Sequence, residues 1–241
     1  YNSVEDTEKR ERYLGSIGWQ FAHIYDEKKL SFIIDFIENH NTEKFIQRNA
    51  IYEIMRKGEI FEEILLKKLP GVKTFGLSGA ESTLALVDQI IYFATHDFAT
   101  DSVVVGGMHR GRLAQMALLF QKPIDKIINE TREILEYDRD FGGSWDSVYH
   151  LGWSGILEKS YGKFPVWVSP HPSHLSLVPA VSMGYARSLQ EDGKSPLHLS
   201  LHTDAAFSGQ GINAEILQLS NLEPYTVKGT IHVVLNNQLG F

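Results

Sequence analysis

The chain predicts an α/β fold, a doubly wound parallel sheet preceded by a helical lead-in, and three observations carry that prediction. From Gly71 onward, short apolar runs alternate with segments of helical spacing. The runs are rich in valine or leucine and are closed by polar or glycine residues, as strands buried on both faces are. Four of the runs end on residues with chemistry to offer: His109, Ser173, Asp204 and the Asn236-Asn237 pair. In an open α/β sheet the carboxyl ends of the strands share one ligand crevice.

Residues 1–70 form the expected helical region. KFIQRNAIYEIMRKGEIFEEILLKKL combines alternating charge with good helix formers and repeats apolar residues at Ile51, Ile54, Ile60, Phe61, Ile64 and Leu65. Leu69-Pro70-Gly71 ends it. The run Lys9-Arg10-Glu11-Arg12 reads as solvated helix surface.

Residues 71–241 form the expected α/β domain. Gly79-Ala80-Glu81-Ser82 opens a helix whose apolar face is Leu84, Val87, Ile91 and Ala94. Ser102 to Val105 reads as a strand, Arg112 to Phe120 as a helix and Phe164 to Ser169 as a strand. A helix runs from about Ser173 to Leu189. PLHLSLH and TIHVVL are two further buried strands. Between them GINAEILQLSNLE has helical spacing through Ile212, Ile216 and Leu219. SVYHLGWSG reads as a glycine-bearing loop. No internal repeat or low-complexity segment interrupts the series.

Composition excludes several classes. A net charge of −7 and the lack of any basic stripe give no support to a nucleic-acid role. No apolar run approaches the ~20 residues that span a bilayer as a helix. With 0 cysteines, disulfides, thiol catalysis and thiolate metal sites are impossible within these residues. The Asn129-Glu130-Thr131 sequon is read as chance. The chain opens on Tyr1 and stops just after a strand, which reads as a segment of something longer.

A right-handed strand–helix–strand unit brings Asp204 and Asn237 out on one edge of the sheet. A carboxylate and a carboxamide there are hard oxygen ligands, suited to Mg²⁺ held against a phosphate. The plainer alternatives are an aspartate capping the next helix and an asparagine pair making a turn. In GGMHRGRL, His109 has a reference pKa near neutrality, and Arg110 and Arg112 offer planar donors for a diphosphate or dicarboxylate. The alternative is a helix start with solvent-facing arginines. For His150 the alternative is polar surface. For Ser173 it is a helix N-cap.

The wording DAAFSGQG…NNQLGF resembles the thiamin diphosphate-dependent first component of the 2-oxoglutarate dehydrogenase complex, and its relative acting on 2-oxoadipate. The similarity runs from about Phe61 to the end. It implies thiamin diphosphate and Mg²⁺ as cofactors, with Asp204, Asn237 and the backbone carbonyl of Leu239 as metal ligands. Arg110 or Arg112, with Ser173, Leu175, Asp204, Ala205, Asn237 and Leu239, would contact the cofactor. His109 and His150 would be catalytic, holding the 2-oxo acid beside the reacting centre. The implied reaction is oxidative decarboxylation of a 2-oxo acid with acyl transfer to a lipoyl group. The implied partners are a C-terminal transketolase-like domain, a second subunit and a lipoyl-bearing acyltransferase. The location would be bacterial cytoplasm or the mitochondrial matrix. Because the carboxylate tuning the aminopyrimidine comes from another domain in that family, the isolated segment is expected to be inactive.

Within the same chemistry a 2-oxoadipate dehydrogenase or a simple 2-oxo-acid decarboxylase fits as well. A non-catalytic cofactor-binding paralogue is the reading from another class. A nicotinamide-binding Rossmann domain is disfavoured, since no G-x-G-x-x-G follows the first strand. The chain departs from the resembled pattern at four places. Thr203 stands for a glycine, Ser78 for a glutamate and Ala114 for an asparagine. His171-Pro172-Ser173-His174-Leu175-Ser176 stands for Asn-Pro-Ser-His-Leu-Glu. If the missing glycine needs positive φ, Thr203 forces a different loop.

Overall fold

The computed structural model describes residues 7–39, 48–72, 74–132, 147–236 and 238. Its backbone gathers into two compact units, residues 1–48 and 49–241. In the first, α1 (Thr7–Leu14) and α2 (Glu27–Asn39) meet through polar contacts. Lys9 Nζ lies 3.0 Å from the Glu38 carboxylate, Tyr13 Oη donates to it at 3.0 Å, and Arg12 donates to Ile37 O at 3.1 Å. α1 has no buried residue, as its run of charges led us to expect.

The second unit contains α3 (Arg48–Lys68), α4 (Ser82–His96), β1 (Ser102–Gly106), α5 (Arg112–Leu118) and α6 (Ile124–Thr131). These are followed by β2 (Trp153–Lys159), β3 (Gly162–Val168), α7 (Leu177–Glu191) and β4 (Pro196–Thr203). α8 (Asp204–Gly209), α9 (Ile212–Leu219) and β5 (Ile231–Leu235) complete the described elements. The helical region expected over residues 1–70 therefore spans both units, because α3 buries Phe61 and Leu65 in the core beneath the sheet.

The strands lie in the order β2-β3-β1-β4-β5. β1 is parallel to β3 and β4, and β4 to β5, so the doubly wound parallel sheet is present. β2 is the exception. It pairs antiparallel to β3 from Trp153↔Val168 to Lys159↔Gly162, which makes a tight hairpin. The glycine-bearing loop expected at SVYHLGWSG thus becomes a strand from Trp153 onward. The physical reason is alternation: Trp153 packs on the core and Leu157 is buried, while Ser154 and Ile156 face outward.

Strand alternation divides the core. Val103, Val105, Val166, Val168, Leu197, Leu199 and Leu201 face α3, α4 and α5, meeting Leu65, Leu84, Val87, Ile91, Leu113 and Met116. Val104 faces the other way, onto Met183 and Ala186 of α7 and Ile216 of α9. All four residues of the expected α4 face are buried. Burying a side chain of this size contributes roughly 1.5–3 kcal/mol.

Two expectations shift. α7 begins at Leu177 and not near Ser173. β5 is less buried than its apolar run suggested, with Ile231 41% and Val234 39% exposed. It has β4 beside it and no second neighbour among the described residues.

One glycine is indispensable. Gly111, ahead of α5, has φ +63°, and a Cβ there would lie 2.1 Å from Leu77 Cγ. Its N–H donates to Phe75 O at 2.6 Å. Gly111→Ala adds left-handed strain to overpacking and should destabilise the protein by about 2–4 kcal/mol in urea titration.

Candidate functional site

The chain passes from β1 to β3 on one side, then crosses through α7 to β4 on the other side of β1. This reversal makes the carboxyl ends of β1 and β4 a switch point, the place where open α/β sheets bind ligands. His109 follows β1, and Asp204 follows β4. The register Gly106↔Ser200 keeps these two exits level. β3 leads into Ser169 and His171. Because β2 runs antiparallel, the residues before it, His150 included, lie at this same edge.

Three imidazoles gather there. The ring of His109 is 5.3 Å from that of His150 and 4.3 Å from that of His171. His150 and His171 rings are 6.4 Å apart and nearly parallel. The backbone N–H of His171 donates to His150 O at 2.9 Å, locking one loop to the other. Ser173 Oγ lies 3.3 Å from His150 Nε2. His109 also packs on Phe75, whose N–H donates to Tyr149 Oη at 2.8 Å. Burial pushes the Tyr149 phenol upward, so it stays a neutral hydrogen-bonding group.

His171 is the residue that sequence reasoning passed over. It is 1% exposed, and neither ring nitrogen has a partner of good hydrogen-bond geometry among the described residues. Burial, then the charge of Arg112 and then His109 depress its pKa to about 3. A buried polar group without a partner costs about 1–3 kcal/mol, so such groups gather where a ligand completes them. Its place at a strand exit was the available signal.

The two arginines differ. Arg112 is 2% exposed and donates to Leu151 O at 2.9 Å and to Ser169 O at 2.6 Å. Burial lowers its pKa to about 10, which leaves it protonated at neutral pH. The solvent-facing alternative fails for Arg112. Arg110 is half-buried, with Nη1 3.4 Å from Gly76 O.

At the β4 exit Thr203 has φ −100° and ψ 149°, ordinary extended backbone paired with Leu235. The threonine therefore requires no special loop conformation. Thr203 occupies the N-cap position of α8, and Asp204 is the first helical residue, where a carboxylate complements the helix dipole. Asp204 and Ala205 are half-buried. Leu175 is half-buried and Ser173 exposed. Ser176, not Ser173, precedes α7, so the N-cap alternative for Ser173 also fails. At the β5 exit, Asn236 Oδ1 accepts from Gln238 N at 3.0 Å, and Gln238 has φ +55°. Asn237 and Leu239 lie outside the described residues. The in-strand histidines have partners. His198 lies 2.8 Å from both Ser182 Oγ and Thr230 Oγ1, and His202 shares a 2.9 Å hydrogen bond with His232.

Residues 163–241 match the family model for the dehydrogenase E1 component. The chain is 37% identical over 241 aligned residues to the 2-oxoglutarate dehydrogenase E1/E2 component of Corynebacterium glutamicum, a match covering 96% of this chain and 20% of that protein. It is 36% identical to the 2-oxoglutarate dehydrogenase E1 component of Brucella canis, over 95% of this chain and 24% of that protein. Residues 163–241 thus belong to the dehydrogenase E1 component family. It is also 38% identical to a multifunctional 2-oxoglutarate metabolism enzyme of a Mycobacterium species, over 96% of this chain and 19% of that protein. The chain thus spans roughly a fifth to a quarter of these relatives' lengths. The family-model match takes in Ser173, Leu175, Asp204, Ala205, Asn237 and Leu239, whereas His109, Arg110, Arg112 and His150 precede it. No helix among the described residues is long and apolar enough to cross a membrane.

The buried histidines give this chain a defined acid sensitivity. His171 and His198 have pKa values lowered from 6.5 to about 3 and about 4. Below pH 6.5 the unfolded chain binds protons at both positions that the folded protein does not, so stability falls as pH falls. Each group contributes up to about 1.4 kcal/mol per pH unit. Urea unfolding of His171→Asn between pH 6.5 and 4.5 should show a slope shallower than that of the parent by about this amount.

Proposed function

We propose that this chain supplies the diphosphate-holding part of the active site of a thiamin diphosphate- and Mg²⁺-dependent 2-oxo-acid dehydrogenase, with 2-oxoglutarate as the substrate. The observation that carries this reading is the meeting of His109, His150 and His171 at the carboxyl edge, level with Asp204 across the switch point. The names of the relatives support the choice of substrate.

The residues present fit the cofactor. Asp204 offers a hard oxygen at the start of α8, and the neighbouring parallel strand brings Asn236 to the same edge. Asp204, Asn237 and the carbonyl of Leu239 would hold Mg²⁺, with Ser173, Leu175 and Ala205 lining the diphosphate side. Arg110 is the arginine left for the cofactor, since Arg112 is committed to two carbonyls. Thiamin diphosphate, when bound, supplies the electron sink for loss of CO₂ from a 2-oxo acid.

The remaining work falls to the chain. His109 and His150 hydrogen-bond the oxygens of the 2-oxo acid, and Ser173 orients His150 through its Nε2. Phe75 and Tyr149 wall the histidines on one side, which limits water and strengthens each polar contact within the site. His171 stays neutral beside Arg112 and adds a hydrogen-bonding ring without a second positive charge. The partners in this reading are a second subunit, the domain that grips the aminopyrimidine and a lipoyl-bearing acyltransferase.

In the full-length protein, Asp204→Ala should abolish Mg²⁺-dependent cofactor binding measured by calorimetry, with the fold intact. His109→Ala and His150→Ala should each lower turnover of 2-oxoglutarate by roughly 10²–10³, with cofactor affinity little changed. Parental binding in the first variant, or parental turnover in both of the others, would remove the basis of the proposal.

A further inference from the structure

α8 carries Asp204 yet has only six residues, too few to hold helical form unaided. Its last carbonyls have no partner within the helix and must find one elsewhere. They find it across the site. Ser176 Oγ donates to Ala206 O at 2.8 Å, and Asn213 Nδ2 donates to Phe207 O at 3.1 Å and to Ser176 Oγ at 3.2 Å. Gln210 Oε1 accepts from Ser176 N at 3.2 Å. Ser176 is 1% and Asn213 2% exposed, so water does not substitute for these bonds.

Ser176 also gives something up. It stands at the N-cap position of α7, but its side chain makes no capping bond there. Its hydroxyl serves α8 instead. Ser176 directly follows the Ser173–Leu175 arm, so the latch ties that arm to the helix bearing Asp204. The amide of Asn213 can be oriented only one way, because turning it would set its oxygen against Phe207 O. The opposite face of α8 is fixed by Phe207, whose ring packs 4.9 Å from that of His202.

We propose that Asn213 and Ser176 are positioning residues that set Asp204 against the Ser173–Leu175 arm and thereby set the affinity for Mg²⁺ and cofactor. This rests on Asp204 being a metal ligand. Asn213→Asp keeps the shape but places a carboxylate oxygen against two carbonyls. Ser176→Ala removes a single oxygen and keeps the question answerable should Asn213→Asp not fold.

The test uses the full-length protein, calorimetry with Mg²⁺ and thiamin diphosphate, and amide exchange without ligand. Both variants should bind the cofactor about 10- to 100-fold more weakly, as loss of groups that orient ligands does elsewhere. Amides 208–210 should exchange faster, and kcat at saturating cofactor should stay within about twofold of the parent while the apparent KM for Mg²⁺ rises. If Asp204→Ala loses binding but both variants bind as the parent does, the latch is refuted while Asp204 keeps its role. If Asp204→Ala itself binds normally, the ligand assignment fails and the latch with it.

Discussion

The guanidinium of Arg112 is the fastening on which the candidate site depends. It is sealed from solvent at the start of α5, where it donates to Leu151 O before β2 and to Ser169 O after β3. β1 passes just as close, since a Cβ on Gly107 would lie 2.9 Å from Arg112 Nη1. One cation therefore ties the stretch before β2 to the stretch after β3, with the backbone after β1 close beside it. A buried charge is costly unless it is well hydrogen-bonded, and losing its partners would be costlier still. A second buried cation secures the neighbouring stretch, for Lys122 pairs with Glu130 at 2.6 Å and reaches Gly152 O at 3.4 Å.

This arrangement also sets the charge of the site. Burial, and after it the charge of Arg112, keeps His171 neutral. His171 is then a ring that adds no positive charge of its own at neutral pH. Across the switch point Asp204 sits on a short helix that would not persist alone, held by Ser176 and Asn213 below it. The two halves are built differently. One is a rigid, sealed arginine clamp, and the other is a small helix whose place is set by side-chain bonds.

Sequence revealed the parts of the fold that follow periodicity. Leu84, Val87, Ile91 and Ala94 mark α4, the continuous apolar run Val103–Val105 marks β1, and the alternating leucines Leu197, Leu199 and Leu201 mark β4. β2 was missed because its apolar positions are few and interrupted by Ser154 and Gly155. Strand-end reasoning put His109 and Asp204 at the carboxyl edge, since both follow strong strands. It did not reveal that Arg112 turns inward, because an arginine near a helix start is ordinarily solvated. Nor did it single out His171, whose significance lies in its burial against the ring of His109. Ser176 read as a lost acidic group, and only tertiary packing with Asn213 gives it a task.

The central claim is that the carboxyl ends of β1 and β4 form the diphosphate and metal site. A crystal structure of the full-length protein with Mg²⁺ and thiamin diphosphate tests it most directly. The account requires the diphosphate to lie over those two strand ends, with Asp204 in the metal's coordination sphere and Arg112 still bonded to Leu151 and Ser169. A diphosphate bound elsewhere, or a magnesium ion with no contact to Asp204, would contradict it.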